Sequence, residues 1–117
     1  MGLEERVLKA LEDVHDCAAF VIDAAEGREL SDYRGDRFFR QAIGRNLENI
    51  GEGVWRMARL DPETASRISE HRRMIAFRNR ITCGYDLLDD ELVWETVNNE
   101  VPVLLLEVEG LLRKRGA

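Results

Sequence analysis

Phe77-Arg78-Asn79-Arg80-Ile81-Thr82-Cys83-Gly84-Tyr85-Asp86 is the one stretch of this 117-residue chain where basic, amide, thiol and phenol groups crowd together. An amphipathic run precedes it, and Gly84 suits a helix stop, so the cluster is expected at a helix end. The thiol invites nucleophilic chemistry. A free cysteine has a pKa of about 8.5, which leaves only a small fraction as thiolate near neutrality. The negative end of a helix disfavours thiolate further, while Arg78 and Arg80 pull the other way. No histidine lies near in sequence to activate Cys83, so an inert, half-buried cysteine outweighs a nucleophile. A metal site built from His15, Cys17, His71 and Cys83 fails on spacing. His15 and Cys17 point to different sides of their helix, and the other two sit about 18 Å apart along theirs. No metal or cofactor is expected.

The elements that must position this cluster are helices. Leu3, Val7, Leu11, Val14, Ala18, Val21 and Ala25 advance by steps of four and three, the apolar stripe of a first helix closed by Glu26-Gly27. Residues 28–35, with Ser31, Asp32 and Gly35, read as a loop or frayed lead-in. A second long helix is expected from Asp36 to Leu60, with Phe39, Ile43, Leu47, Ile50, Val54 and Met57 as its core face. Gly44, Gly51 and Ala58 lie seven apart on one side of it, where small residues let another backbone come close. Asp61-Pro62-Glu63 is a helix start. A short helix over about 62–69 leads to another over about 70–83, with Ile68, Met74, Ile75, Phe77 and Ile81 as apolar contacts. Asp86 to Asp90 is a loop, with Asp89 or Asp90 capping a last helix that runs toward Leu112. Pro102 predicts a kink or break in it near Asn98–Val101. No run alternates with a strand period. The fold class is all-α, a four-to-five-helix bundle forming one domain over 1–117.

Charged residues are 34% and the net charge is −6. From Arg28 to Arg80 there are twelve basic and eight acidic residues, a balance of +4, so the remainder carries −10. A globally acidic protein is a poor non-specific nucleic-acid binder, but a basic middle can meet phosphate locally. Charge scatter on solvated helix faces is the plainer reading of that asymmetry. No apolar run approaches a membrane span. Met-Gly-Leu-Glu-Glu-Arg does not begin a signal peptide. With only Cys17 and Cys83, a reduced cytoplasmic setting is expected.

Arg78-Asn79, then a special position five residues after the arginine, then Gly84-Tyr85, resembles the Arg-Asn-x-x-x-His-x-Tyr signature of HepT-like HEPN proteins. Leu47-Glu48-Asn49-Ile50-Gly51-Glu52 is similar to that family's second-helix segment. Asp90-Glu91-Leu92-Val93-Trp94 and Val101-Pro102 resemble its last helix and proline. The resemblance covers about residues 36 to 112. Two departures stand out. Cys83 occupies the histidine position, and Ile68-Ser69-Glu70-His71 stands where the family often has Ile-Pro-Trp.

The resemblance implies a metal-independent ribonuclease toxin, working as a homodimer in which two motifs line one cleft. Arg78 would hold a phosphate of the RNA, a task that suits its planar fork. Asn79 would orient the motif or touch substrate. The family histidine would move a proton between the ribose 2′-hydroxyl and the leaving oxygen. Positions five apart on a helix are separated by roughly 7.5 Å along the axis, so the helix is expected to end near Cys83. With a thiol there, ribonuclease activity is expected to be weak or absent. His71 is too far along its helix to substitute within one chain. Tyr85 matches the tyrosine that, in the family, a minimal nucleotidyltransferase antitoxin modifies with nucleotide. The arginine group Arg67, Arg72, Arg73, Arg78 and Arg80 is the best RNA-facing candidate, or else the surface for an acidic partner. Trp55 and Trp94 read as core or interface aromatics. A non-catalytic HEPN module that binds RNA, nucleotide or a partner protein is the alternative, and Cys83 favours it.

Overall fold

The first stripe packs as its spacing predicts. In a computed structural model, α1 spans Leu3–Ala25 and buries Val7, Leu11, Val14, Ala18, Val21 and Ala25. Leu3, at the edge of the stripe, is exposed. Gly27 takes φ +74°, the left-handed conformation that ends the helix cheaply only in glycine. The structure describes residues 1–82 and 89–116, and for 77 and 79–82 the backbone alone.

Residues 28–35 are more ordered than their composition predicts. Leu30–Gly35 forms a short helix, α2. The Glu29 N–H donates to Asp32 Oδ2 at 2.8 Å, which holds its first turn. Tertiary contact supplies the rest. Tyr33 is buried, its ring centroid 6.0 Å from Phe39 and 5.5 Å from Trp94, and the latter two lie 5.9 Å apart. Such a trio stabilises a segment too short to stay helical alone. Burial, helped by the Asp90 charge, pushes the Tyr33 phenol up to about 12.

α3 spans Arg37–Leu60, and Asp36 caps it by accepting from the Phe39 N–H at 3.1 Å. All six expected core residues, Phe39 through Met57, are buried. Asp61 then caps α4, Pro62–Ser66, by accepting from the Thr64 N–H and hydroxyl. Those two bonds hold the Asp61 carboxyl below its usual range. The short helix is therefore narrower than 62–69. Glu70, at φ +60°, precedes α5, His71–Thr82, which buries Met74. The expected stop at Cys83–Gly84 and the loop from Asp86 to Leu88 lie outside the described residues.

Asp89 caps α6, Asp90–Glu95, by accepting from the Glu91 N–H at 3.0 Å. The irregularity expected near Asn98–Val101 takes the form of a π turn over Thr96–Glu100. There the Val101 N–H reaches Thr96 O, five residues back. α7, Val101–Lys114, follows with Pro102 in its first turn, directly after the π turn. Arg115 ties the ends together, donating to Glu4 at 2.8 Å and to the Thr64 hydroxyl at 3.1 Å.

Among the described residues the result is an all-α bundle of four rods: α1, α3, α5 and the α6–π–α7 helix. α3 is central, with α1 and α5 packed against it, and α7 lies along α1. No strand occurs among the described residues, and no described helix is long and apolar enough to cross a membrane.

Candidate active site

Two glycines of α3 decide how close its neighbours come. A Cβ on Gly51 would sit 2.5 Å from Arg78 Cβ and 2.5 Å from the Met74 carbonyl oxygen of α5. A Cβ on Gly53 would sit 2.6 Å from Val14 Cγ2 of α1. Glycine is what lets each backbone approach. The Gly44–Gly51–Ala58 stripe thus serves within the chain at Gly51, while a Cβ on Gly44 would meet open space.

That approach delivers Arg78 onto α3. Its Nε donates to Glu52 Oε2 at 2.5 Å, and its guanidinium carbon lies 4.8 Å from the centre of the Trp55 ring. Arg78 is 26% exposed and Glu52 40%. A carboxylate at Nε and an indole ring against the guanidinium carbon hold a planar cation as they could not hold an ammonium. The orientation is set in advance, as capture of a phosphate requires, while Glu52 offsets part of the charge. Arg59 lies over the same indole at 4.9 Å. Trp55 is therefore a platform for two guanidiniums rather than a core residue, whereas Trp94 packs against the core.

The arginine group divides over the surface. Arg73 pairs with Glu100 of the π turn, Arg67 lies 3.5 Å from Glu63, and Arg72 is exposed. Only Arg78 of the described members turns onto the Glu52–Trp55 surface. His71 Nδ1 lies 3.2 Å from the Ile68 carbonyl oxygen at the start of α5, roughly 10 Å along the axis from Arg78. Cys83, Gly84 and Tyr85 lie outside the described residues, as do the side chains of Asn79 and Arg80.

Beside Glu52, a groove of about 340 Å³ is lined by Asp13, Asp16, Cys17, Asn49, Glu52 and Arg56. Asp13 accepts from Lys9 at 2.9 Å and from Arg56 at 3.1 Å. Burial, then the Asp13 and Asp16 charges, push the Cys17 thiol up, so it stays protonated and inert at neutral pH. His15 sits 3.2 Å from Glu109 on the α7 side of α1.

Sequence reasoning missed the roles of Glu52 and Trp55. A signal existed for one of them. Glu52 closes the Leu47–Glu52 segment that resembles the family's second helix, but nothing in its spacing named Arg78, 26 residues away, as its partner.

The family model for ribonuclease HepT-like proteins matches residues 7–111. A curated protein of Caldanaerobacter subterraneus subsp. tengcongensis, whose name includes the words "putative RNase", is 27% identical over 104 residues, covering 89% of this chain and 92% of that one. No solved structure matches. With nearly the whole bundle inside the matched span, and its motif arginine seated on the second-helix segment, the chain belongs to the HepT-like ribonuclease family.

Proposed function

We propose that this chain is a toxin-type HEPN ribonuclease whose phosphate clamp is Arg78 and whose proton-transfer position, Cys83, is disabled. The observation that carries the reading is the seating of Arg78 between Glu52 and Trp55. A cation oriented that closely suits the charge of a scissile phosphate. Asn79 and Arg80 contribute polar contacts to the strand, and Arg72 and Arg73 lie further along the same helix. RNA cleavage assayed without added metal, by this chain and by its Cys83→His form, tests the reading. If the histidine form is as inactive as this chain, the catalytic assignment of that position fails.

The alternative is a non-catalytic HEPN module, and Cys83 alone favours it. A thiol has no second nitrogen to orient a proton.

Pairing completes the site in this reading, since one motif supplies one arginine. Gly51 is already covered by α5, so the exposed positions left on α3 for pairing include Phe38, Gln41 and Arg45. Phe38, 87% exposed, supports its use as an apolar anchor. A symmetric homodimer is expected by light scattering at micromolar concentration, and a monomer there removes the shared cleft.

A partner nucleotidyltransferase antitoxin neutralises the protein at Tyr85. A nucleotide on that phenol adds negative charge and bulk, which oppose the binding of an RNA phosphate. Intact-mass analysis with the cognate enzyme and ATP should show nucleotide added to this chain and not to Tyr85→Phe. Equal labelling of both eliminates Tyr85 as the acceptor.

A further inference from the structure

A groove of about 470 Å³ opens between the start of α1 and the last turns of α3, lined by Arg6, Lys9, Trp55, Arg56, Arg59 and Leu60. Its volume is in the range of small-ligand sites. Its charge runs against the molecule. Among the described residues, four cationic side chains and no carboxylate line it, in a chain of net charge −6. Asp13 accepts from Lys9 and Arg56 and offsets one of those charges. Arg6 and Arg59 are exposed and have no carboxylate partner among the described residues. The wall they share is Trp55, the same indole that carries Arg78. Arg78 is not part of its lining, but the groove and the motif arginine have the Trp55 indole in common.

A ligand that fits must carry repeated negative charge, tolerate an aromatic wall, and continue from a phosphate at Arg78. A single strand of RNA meets all three conditions, because basic grooves with aromatic side chains track its backbone whatever its sequence. An acidic protein segment meets the first two, but it has no phosphate to place at Arg78. We propose that Arg6, Arg59 and Trp55 form a second contact for the RNA strand held by Arg78, binding the unpaired nucleotides that adjoin the cleavage point. This rests on the reading of Arg78 as the phosphate clamp. Arg59 lies over the indole without a carboxylate partner, and it can turn from the ring to a phosphate at little cost. Lys9 and Arg56, anchored through Asp13, keep the rim positive. The sequence alone did not single out this group. Arg6 falls in the acidic N-terminal part of the chain and meets Arg59 only through the packing of α1 on α3.

The test is the binding of fluorescein-labelled single-stranded RNA dodecamers to this chain, with the RNA checked to be intact after the measurement. Fluorescence anisotropy is read over a series of salt concentrations. The variants are the Arg6→Ala, Arg59→Ala pair, the matching Arg→Lys pair, and Arg78→Ala, each checked for an unchanged helical signal and melt. The alanine pair should weaken binding by about tenfold or more, and lower the salt slope by about 0.7 for each phosphate that is no longer neutralised. The lysine pair, which keeps the charge, should retain most of the affinity. If Arg78→Ala weakens binding and the alanine pair does not, the groove does not touch RNA, although the clamp stands. If neither changes it, or this chain does not bind the dodecamer, the clamp reading fails and the groove proposal with it. An alanine pair that binds RNA normally but loses an acidic protein partner assigns the groove to that partner and overturns the proposal.

Discussion

Cys83→His should raise RNA cleavage by about two or more orders of magnitude. A placed acid–base group is typically worth about 10²- to 10⁴-fold, and the motif around the position is otherwise present. An imidazole with an unperturbed pKa near 6.5 holds both protonation states in useful amounts at neutral pH. A thiol with a pKa of about 8.5 does not, and it offers one proton site where the reaction needs a base and then an acid. The arginine that would work beside it is already oriented, its Nε 2.5 Å from Glu52 and its guanidinium over Trp55. Arg78→Ala in the histidine background should therefore abolish the gain, because the developing phosphate charge loses its clamp. The gain should survive chelation of divalent ions. The readout is single-turnover cleavage of a labelled RNA, together with growth of cells expressing each form. If this chain already cleaves as fast as Cys83→His, the thiol, or His71 of a second copy of the chain, is moving the proton. Cys83→Ala and His71→Ala, made singly, then show which.

Gly51→Ala should lower the melting temperature by about 6–10 °C, an effect of about 2 kcal/mol or more in a chain of this length. The new methyl would lie 2.5 Å from Arg78 Cβ and 2.5 Å from the Met74 carbonyl oxygen, and no rotamer change relieves a clash with backbone. α5 must move off α3, which outweighs the roughly 1 kcal/mol that alanine gains over glycine inside a helix. Gly110→Ala in α7 makes the contrast. Its methyl would meet only Arg113 Nη2, at 3.8 Å, so propensity wins and the melting temperature should rise. Thermal melts of the two variants, followed by circular dichroism, should move in opposite directions. Two rises would mean that α5 does not press on Gly51 as described. In the Cys83→His background, Gly51→Ala should also lose cleavage out of proportion to its stability, because the displaced Arg78 leaves Glu52 and Trp55.

Much of the bundle follows from local chemistry. The steps of three and four in α1 and α3 name the buried residues almost one for one, because a helix repeats every 3.6 residues and each stripe needs a neighbour to cover it. Caps act within a turn, so Asp36, Asp61 and Asp89 mark three starts and Gly27 one end. Pro102 signals an irregularity near itself for the same reason, though not its π form, which depends on how the last helix packs. The motif arginine is likewise visible from its neighbours in the chain.

What tertiary structure alone decides lies further apart. The helix at 30–35 exists because Tyr33 packs with Phe39 and Trp94, the latter 61 residues on, and no local propensity carries that contact. Arg78 and Arg73 look equivalent on one basic run, yet the first turns to Glu52 and Trp55 and the second to Glu100. The division follows from the register of α5 on α3, set by the missing side chain at Gly51. Trp55 looks like an apolar core residue by type and becomes the seat of two cations because α3 presents it beside α5 and Arg59. Periodicity tells which face of a helix is buried, since that is a property of one helix. Which residues of two helices then meet depends on their rotation and height against each other, and only packing sets those.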